Sequence, residues 1–381
     1  MKWINFLHLY QPMNADAVTI KEATEKSYYR IVRALEENPQ IKFTFNISGC
    51  LLMRWDELNF GDIIKRINNL IKNGQVDLTG TAAYHPLLPL IPEEEVKRQI
   101  KENEVIIKKY FGGYRPRGFF LPEMAYSPAV AKIISDFGYE WIILDEIAYN
   151  GQLNQVDFNK IYLDKSSGLK VIFRSRKYSN GFPPDILKNK IEKNDIFITA
   201  TDGELYGLRH IDHTAEFEKF LKKEKLETEL TSEFIEKTKT AEIIKPAACS
   251  WESTEKELEE DNPYALWNDE KNKIQEKIWE LADLAYQTAE KFKKDKNYLG
   301  ARWHLVRGLA SCTWWWASGM KVGGFSQPAW NPDEVERGLN EFIRSIRTLD
   351  DQKTKSVKLK AEKLSAEIKK ILWLEHWEKY F

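Results

Sequence analysis

The residues best suited to chemistry are carboxylates that directly follow short apolar runs. Glu123 follows the run GFFLP, and Asp202 and Glu204 follow FITAT. Two carboxylates that face each other across a sugar-binding cleft are the equipment of glycoside hydrolysis. Each residue alone has a plainer explanation, since Glu123 could be a solvated loop residue and Asp-Gly is a common turn dipeptide. Their shared position at the ends of apolar runs favours the catalytic interpretation.

Further polar residues occupy the ends of the other apolar runs. They are His8 and Gln11, Asn46 and Ser48, Tyr84 and His85, Asp145 and Glu146, Arg174 and Arg176, and His210. In an α/β barrel the loops after the carboxyl ends of the strands carry the chemistry, so polar residues at successive strand ends predict one active site. Considered alone, His8 could be a buried core histidine, and Arg174 or Arg176 could form a structural ion pair.

Other catalytic chemistries find less support in the sequence. The sequence contains no GxSxG elbow and no cysteine with an obvious base, so acyl transfer is weakly supported. His8, His85 and His210 could supply some metal ligands, but neither HxH nor HExxH occurs. A metal-dependent deacetylase or mannosidase would need a histidine and aspartate set at the first strand, where HLYQP offers one histidine. We therefore predict no metal and no cofactor.

Short β-branched or aromatic runs alternate with longer amphipathic stretches over residues 3–249. Strands are predicted at residues 3–9, 42–47, 75–79, 118–121, 141–144, 171–174, 196–200 and 245–249, and helices at 20–37, 62–73, 93–110 and 128–137. This alternation predicts an α/β fold with a parallel sheet, either a barrel or a doubly wound sheet. Because no GxGxxG or Walker sequence follows a strand, the barrel is the better interpretation.

After Trp251 the pattern changes. The stretch STEKELEEDNP is a charged connection that ends in proline. Beyond it, residues 269–293, 299–318, 332–349 and 353–380 have the pattern of helices, with no convincing strand. We predict a catalytic barrel over residues 1–262 and a helical domain over residues 263–381, which packs on the barrel and helps to form the cleft.

The charge balance limits the expected partners. The 381 residues include 57 Lys and Arg against 58 Asp and Glu, a formal net charge of −1, which favours neither nucleic acid nor a membrane surface as partner. No apolar run approaches the ~20 residues that span a bilayer. The first residues, MKWINFLHLYQP, predict a strand and not a signal peptide. Cys50, Cys249 and Cys312 lie in apolar surroundings and predict reduced thiols in a cytoplasmic protein. The oligomeric state is left open.

Four segments, in order, resemble the motifs of a known family, glycoside hydrolase family 57. HLYQP is similar to its first motif, GTAAYHPLLP to its second, FFLPEMAYSP to its third and TATDGELYGLRH to its fourth. The resemblance covers residues 3–250, and the later NPYALWND is similar to a segment of the α-glucan-active members. GLASCTWWWAS lies where the family has a fifth motif, but Cys312-Thr313 departs from the Ser-Asp or Asn-Asp pair expected there.

The resemblance implies an incomplete (β/α)7 barrel followed by a C-terminal helical bundle, and a reaction that retains the anomeric configuration. Carried over to this sequence, Glu123 falls on the nucleophile and Asp202 on the general acid/base. His8 and Gln11 would contact the sugar that is attacked, and His85 would lie close by.

Glu204 is the rival of Asp202 for the acid role. It stands two residues further on, so on a continuing strand both side chains would face the same way. The motif favours Asp202, with Glu204 binding a neighbouring group. The further substrate-binding candidates are Arg174, Glu204, His210, Trp251, Trp267 and Trp315. Residues 314–316 are consecutive tryptophans that point about 100° apart on a helix, so at most one or two of them line a cleft.

We expect a retaining hydrolase of the α-amylase type that acts on α-1,4-glucans such as starch, glycogen or maltooligosaccharides. A 4-α-glucanotransferase is the second choice and an α-galactosidase the third, since the resembled family includes these activities. A non-catalytic glycan-binding homologue is the alternative from a different class of function. The presence of both Glu123 and Asp202 counts against that alternative.

Overall fold

The computed structural model describes residues 1–191, 195–238, 240–322 and 328–380. Two compact units account for the internal contacts: the first comprises Met1–Ala83 and Leu88–Glu259, and the second comprises Tyr84–Leu87 and Glu260–Phe381. That the helical domain helps to form the substrate cleft stays a prediction. Within the described ranges, no helix has the length and apolar character needed to cross a membrane.

The first unit is built on parallel strands that close into a ring. The strands of this unit, within the ring and outside it, are β1 Lys2–Leu9, β2 Phe43–Ile47, β3 Val76–Thr79, β4 Gly118–Phe119, β5 Trp141–Asp145, β6 Ile161–Asp164, β7 Lys170–Arg174, β8 Ile196–Asp202, β9 Glu227–Thr228 and β10 Thr240–Ile244. In the ring, β3, β2, β1 and β8 pair in that order, and β4, β5 and β7 pair in that order.

Backbone hydrogen bonds join these two groups of strands at both edges. Gly80, just after β3, donates to Gly118 and accepts from Phe120, with distances of 2.8 and 2.9 Å. After β7, the N–H of Ser175 donates to the carbonyl of Ile198 in β8 at 2.9 Å. The resulting order β1-β2-β3-β4-β5-β7-β8 is a seven-stranded α/β barrel, which confirms the predicted fold class. β6 pairs antiparallel with β7, and β10 pairs with β6, outside this ring.

Helices follow the strands. In the first unit they are α1 Ala17–Ala23, α2 Tyr29–Glu36, α3 Gly49–Glu57, α4 Gly61–Lys72, α5 Glu93–Phe111, α6 Pro128–Asp136, α7 Arg176–Ser179, α8 Pro183–Leu187, α9 Glu216–Leu221, α10 Thr231–Lys237 and α11 Glu255–Glu259. A π-helical turn, Thr24–Tyr28, joins α1 to α2, and short 3₁₀ turns lie at Leu88–Leu90, Pro122–Met124, Glu146–Ala148, Lys188–Lys190 and Gly203–Tyr206.

Local sequence explains where these elements begin and end. α5 has three glutamates in its first turn and two lysines in its last, which matches the helix dipole, and Gly112 stops it with φ 65°. α6 begins at Pro128, and its N-cap Ser127 accepts from the N–H of Val130 at 3.3 Å. These boundaries lie within two residues of the predicted ones.

One predicted strand of the first unit is wrong. Residues 245–249 form no strand, and the strand of this region, β10, ends at Ile244. Pro246 follows two residues later and has no N–H to donate to a neighbouring strand. Cys249 instead makes an isolated antiparallel bridge with Tyr126, which ties this segment to the loop after β4.

The second unit is mainly helical. Its helices are α12 Lys273–Lys291, α13 Tyr298–Gly308, α14 Cys312–Trp315, α15 Pro332–Thr348 and α16 Lys355–Glu375, with a 3₁₀ turn at Gln352–Thr354 and a π-helical turn at His376–Tyr380. The expectation that this part holds no strand is wrong, because β11 Ala317–Lys321 and β12 Pro328–Trp330 pair antiparallel. These strands are short, and the sequence around them has the hydrophobic periodicity of the adjacent helices, so no strand is predicted there.

Candidate active site

Glu123 lies in the turn that follows β4. Pro122 opens this 3₁₀ turn, and Glu123 itself has φ 59° and ψ 16°, in the left-handed region. A non-glycine residue in this region costs of order 1–3 kcal/mol, so its surroundings must hold it there. The carboxylate is directed inside the unit, and 9% of the residue is exposed.

Trp251 holds Glu123 through both its side chain and its backbone. Its indole Nε1–H donates to Glu123 Oε2 at 2.9 Å, and its backbone N–H donates to the carbonyl of Glu123 at 3.0 Å. The indole also packs edge-on against His8 and Phe120, each with ring centroids 6.0 Å apart. The ring of Trp251 therefore fixes the orientation of the carboxylate, so Trp251, predicted as a stacking residue, contacts the predicted nucleophile.

Arg174 and Arg176 both contact a buried aspartate, Asp145. Arg174 Nε lies 2.8 Å from Asp145 Oδ2, and Arg176 Nη2 lies 2.7 Å from Asp145 Oδ1. Arg174 also donates to the carbonyl oxygens of Ala200 and Trp251, at 2.8 and 3.2 Å, and its guanidinium lies 5.0 Å from the Trp251 ring centroid. Both arginines thus form ion pairs with Asp145, and Arg174 also contacts Trp251, the residue bound to Glu123.

Glu252 brings a further carboxyl to this region. It is half-buried and directly follows Trp251 in the chain. Burial raises the pKa of Glu252 to about 8, and Arg174 and Arg176 oppose that shift while Glu123 reinforces it. Nothing in the sequence marks Glu252 as functional, because WES carries no recognisable motif.

Asp202 lies on another part of the barrel, at the end of β8. It is half-buried, and Arg209 Nη1 lies 2.6 Å from its Oδ2. In the sheet its register partner is His8 of β1. Arg209 was not among the predicted site residues, although it lies within the fourth motif, TATDGELYGLRH.

His8 connects β8 to β2. Its Nδ1 lies 2.8 Å from Asn46 Oδ1, and Asn46 Nδ2 donates to Thr79 Oγ1 at 3.1 Å. The imidazole stacks on Phe120 with centroids 4.6 Å apart. Burial lowers the pKa of His8, an effect that the nearby carboxylate of Asp202 opposes. The structure therefore brings polar residues of β1, β2, β3 and β8 together at one end of the barrel.

Glu204 has a different environment from Asp202. Its Oε1 accepts from the hydroxyl of Tyr28 at 2.6 Å and from the amide of Gln11 at 2.6 Å. Burial raises the pKa of Glu204 to about 7; Arg209 opposes this shift, and Asp202 reinforces it. Tyr28 is a third residue that the sequence analysis missed, since nothing distinguishes it within its predicted helix.

The argument that Asp202 and Glu204 face the same way holds only for a continuing strand, and the strand does not continue to Glu204. β8 ends at Asp202, and Gly203–Tyr206 is a 3₁₀ turn, so the alternation of a strand no longer applies. Gly203 also packs closely against Tyr28 and Leu9, where a Cβ would lie 3.2 and 3.3 Å from their side chains. The two carboxylates consequently have separate partners, a guanidinium for Asp202 and two neutral donors for Glu204.

The remaining predicted residues lie elsewhere. His210 stacks on Phe182 at 4.3 Å, and its Nε2 lies 3.4 Å from Asp185 in α8. In the second unit, the ring nitrogen Nδ1 of His85 lies 3.0 Å from Ser311 Oγ. Trp267 is fully buried there, and Trp315 is half-buried against Trp316. A fully buried indole has no exposed face on which a sugar could stack, so Trp267 does not fit its predicted role. Substrate contacts of His85 and Trp315 stay predictions.

Comparison with known proteins agrees with the motifs. The model of Glycosyl hydrolase family 57 matches residues 4–247. An α-amylase of Pyrococcus horikoshii is 30% identical over 280 residues, which cover 67% of this chain and 44% of that protein. A 4-α-glucanotransferase of Thermococcus litoralis is 32% identical over 149 residues, or 38% of this chain and 22% of that protein. The chain thus spans less than half the length of these curated relatives.

Solved structures agree on the fold. The crystal structure of 4-α-glucanotransferase from Thermococcus litoralis superposes with a TM-score of 0.74 and 19% identity, covering 92% of this chain and 60% of that one. At this level of identity the likeness shows the fold alone. The family match, however, extends over most of the chain and includes both Glu123 and Asp202. The resemblance seen in the four motifs is therefore confirmed, and the chain belongs to glycosyl hydrolase family 57.

Proposed function

We propose that this protein is a retaining glycoside hydrolase that acts on α-1,4-glucans through a covalent glycosyl-enzyme. Glu123 is the nucleophile and Asp202 the general acid/base. The observation that carries this proposal is the carboxylate of Glu123, fixed by the indole of Trp251 at 2.9 Å in a strained turn at the carboxyl end of a barrel strand. Such a strained, fixed carboxylate suits a group that must attack along one direction.

In the first step, one carboxylate oxygen of Glu123 attacks the anomeric carbon of the sugar. The bond from that carbon to the glycosidic oxygen breaks, and the leaving oxygen takes the proton of Asp202. The product is a glycosyl ester on Glu123. A retaining mechanism of this kind needs ~5–5.5 Å between the two carboxyl groups.

In the second step, Asp202 acts as a base. It takes a proton from water, whose oxygen attacks the anomeric carbon, and the ester bond to Glu123 breaks. The Trp251 N–H supports this step in particular, because it stabilises the carboxylate that leaves. If a sugar hydroxyl replaces water, the same step yields transglycosylation.

His8, Gln11 and Glu204 serve substrate binding in this proposal. Gln11 and Tyr28 hold Glu204, and Glu204 would accept a hydrogen bond from a sugar hydroxyl near the acid. The neutral form of His8 favoured by burial suits a hydrogen bond to an uncharged sugar better than an ion pair.

The substrate class is supported by the relatives, which are named α-amylase and 4-α-glucanotransferase. The second of these names supports glucanotransferase activity as the alternative function. The two activities share both chemical steps and differ in the acceptor of the second step, so the same residues would serve either.

A product profile from maltoheptaose, followed by chromatography, tests the proposal. The wild type is compared with Glu123→Gln, Asp202→Asn and, as a matched control, Asp136→Asn at an exposed position of α6. We expect shorter maltooligosaccharides from the wild type and the control. Losing the acid should cost ~10²–10⁴-fold in rate, and losing the nucleophile should cost more.

Each other outcome has a definite meaning. Products longer than maltoheptaose would favour the glucanotransferase. Unchanged activity in both site variants would refute the assignment of Glu123 and Asp202. The absence of all products would redirect the search to α-galactosides, and a failure there would favour a glycan-binding role.

A further inference from the structure

A cavity of about 360 Å³ lies in the first unit, between α5 and the loops that lead into β4 and β5. These loops lie at the amino ends of the two parallel strands, whereas Glu123 follows the carboxyl end of β4. The proposed mechanism therefore makes no use of the cavity.

Hydrogen bonds fix both loops. The hydroxyl of Tyr114, in the loop before β4, accepts from the backbone N–H of Leu78 in β3 at 2.8 Å. The N–H of Glu140, just before β5, donates to the carbonyl of Arg117, just before β4, at 2.8 Å. Because these walls are already held in place, a ligand would have little to order on binding.

Two cations on the cavity wall have no acidic partner. Lys108 lies in the last turn of α5 and Arg115 in the loop that follows, and both are exposed. Among the residues that the structure describes, neither side chain makes an ion pair or a hydrogen bond. Gly138 leaves room for the guanidinium, since a Cβ there would lie 3.2 Å from Arg115 Nη2. Both cations can therefore donate hydrogen bonds to a ligand.

The same wall also offers acceptors. Glu104 is exposed, and its Oε1 accepts from the hydroxyl of Tyr139 at 3.4 Å. α5 and α6 both end at the cavity, because the residue after each helix, Gly112 or Phe137, lines it. The carboxyl end of a helix is the negative end of its dipole, so these features offset the two cations. Such a wall suits a neutral ligand that carries both donors and acceptors better than it suits an anion.

Two further side chains of the cavity point to a polar ligand with an apolar face. Phe137 is half-exposed, and its ring contacts no other aromatic ring within the described ranges, so it offers a surface for stacking. Asn103 is fully buried, and neither atom of its amide has a hydrogen-bond partner. Its oxygen lies against Gly49, 2.9 Å from where a Cβ would be. The unpaired amide is costly unless a bound group or water completes it.

We propose that this cavity is a second carbohydrate-binding site, separate from the active site, for one or two sugar units of an α-glucan. A sugar ring packs on Phe137, and its hydroxyls accept from Lys108 and Arg115 and donate to Glu104. The choice of an α-glucan rests on the proposed function, while the choice of a neutral polyhydroxyl ligand rests on the lining of the cavity. A glucan polymer can occupy both sites, so the second site raises the affinity for long substrates.

Titration calorimetry with maltotriose tests the site, in a Glu123→Gln background so that the probe is not consumed. We expect two maltotriose molecules per chain. Phe137→Ala and Arg115→Ala should each weaken one of the two binding events by about tenfold, since one removes an apolar contact and the other a charged hydrogen bond. Phe60→Ala, a half-exposed phenylalanine outside the cavity, is the matched control and should change neither. Arg115 is an exposed loop residue, so its variant tests the proposal even if Phe137→Ala fails to fold.

Kinetics with two substrates give a second measurement, made with Glu123 intact. On glycogen, Phe137→Ala and Arg115→Ala should raise KM by about 3- to 10-fold and leave kcat unchanged, because they remove the second point of attachment. On maltoheptaose, which is too short to benefit from a distant site, both variants should match the wild type.

The outcomes separate this inference from the proposed function. An active wild type with a single maltotriose site, or with two sites that neither cavity variant weakens, would overturn the inference and leave the hydrolase proposal standing. Inorganic phosphate that displaces maltotriose from the cavity would identify an anion site and overturn it as well. A wild type inactive on every glycoside would refute the proposed function, whereas maltotriose binding lost in the cavity variants would still support the second site.

Discussion

Replacing Trp251 by phenylalanine removes one defined interaction of the predicted nucleophile. The ring body stays, so the edge-on contacts with His8 and Phe120 are largely retained. What is lost is the Nε1–H donor, 2.9 Å from Glu123 Oε2. In the proposed mechanism Glu123 is neutral as an ester in the covalent intermediate and becomes a carboxylate when the ester breaks. The missing donor should therefore slow mainly the second step.

The size of the effect follows from the type of bond. A hydrogen bond to a charged group contributes about 1.5–3 kcal/mol, and the side chain of Glu123 is too buried for water to replace it fully. If the whole contribution is expressed in the breakdown of the ester, the rate of that step falls by about 10- to 150-fold. The first step should change less, because it discharges the same carboxylate.

The assay uses an aryl α-maltooligoside with a good leaving group, which makes the first step fast. We expect kcat to fall by the factor above while kcat/KM, which reports the first step, changes much less. A rapid burst of the released phenol should appear, and mass spectrometry should find the glycosyl group on the peptide that contains Glu123.

Trp55→Phe is the matched control. Trp55 is also fully buried in the first unit, and its Nε1 donates at 2.9 Å to the neutral hydroxyl of Thr24. This variant should lose some stability but keep both kinetic constants. A Trp251→Phe enzyme with equal losses in kcat and kcat/KM and no burst would refute the reasoning, as would a Trp55→Phe enzyme with the same kinetic defect.

Three further predictions concern stability. Burial raises the pKa of Glu204 to about 7, so the wild type should lose stability as pH rises from about 4.5 to 7. Glu204→Gln should therefore be up to about 3 kcal/mol more stable than the wild type at pH 8. Urea unfolding of both proteins at pH 5 and pH 8 measures this difference. Arg174→Met removes one of the two cations on fully buried Asp145 and should cost about 3 kcal/mol in unfolding free energy at pH 7; an unchanged urea midpoint would contradict this. Gly118→Ala would place a Cβ 2.2 Å from the ring of Trp141, so we expect a loss of about 1–3 kcal/mol, seen as a lower Tm in calorimetry.

Most strands of the barrel could be predicted because their signal is local. A run such as WIILD is buried along its whole length, which gives the continuous apolar pattern of a parallel strand. The strands that were not predicted in the second unit lack such a signal. β11 and β12 are five and three residues long, and they lie within a region of strong helical periodicity.

The site could be predicted only as far as single positions. The rule that chemistry lies at the carboxyl ends of strands selects Glu123 and leaves Asp202 and Glu204 both open, and only the resemblance to the family motif favours Asp202. The partner of each carboxylate is far away in the chain, as with Trp251, which is 128 residues from Glu123. A hydrogen bond over such a separation depends on how the whole barrel closes, and no local pattern contains that information.

The choice between Asp202 and Glu204 illustrates the same limit at short range. Spacing would place both side chains on one face of a continuing strand, but β8 ends at Asp202 and a 3₁₀ turn follows at Gly203–Tyr206. The turn depends on Gly203, where a Cβ would crowd Tyr28, and this contact comes from a helix more than 170 residues earlier. The geometry of the segment from Asp202 to Glu204 therefore depends on a tertiary contact, which the local sequence pattern does not contain.

The two predicted catalytic carboxylates differ in the kind of group that each contacts, and the difference fits their separate tasks. Glu123 accepts from the neutral N–H of Trp251, while Arg174 and Arg176 contact Asp145. Asp202 contacts the guanidinium of Arg209 directly. This contact engages Oδ2 of the carboxyl group that has to give a proton to the leaving oxygen in the proposed mechanism. On the proposed mechanism, the first step therefore depends on how substrate changes the contact between Asp202 and Arg209, whereas the second depends on Trp251, so the two steps are controlled by separate contacts.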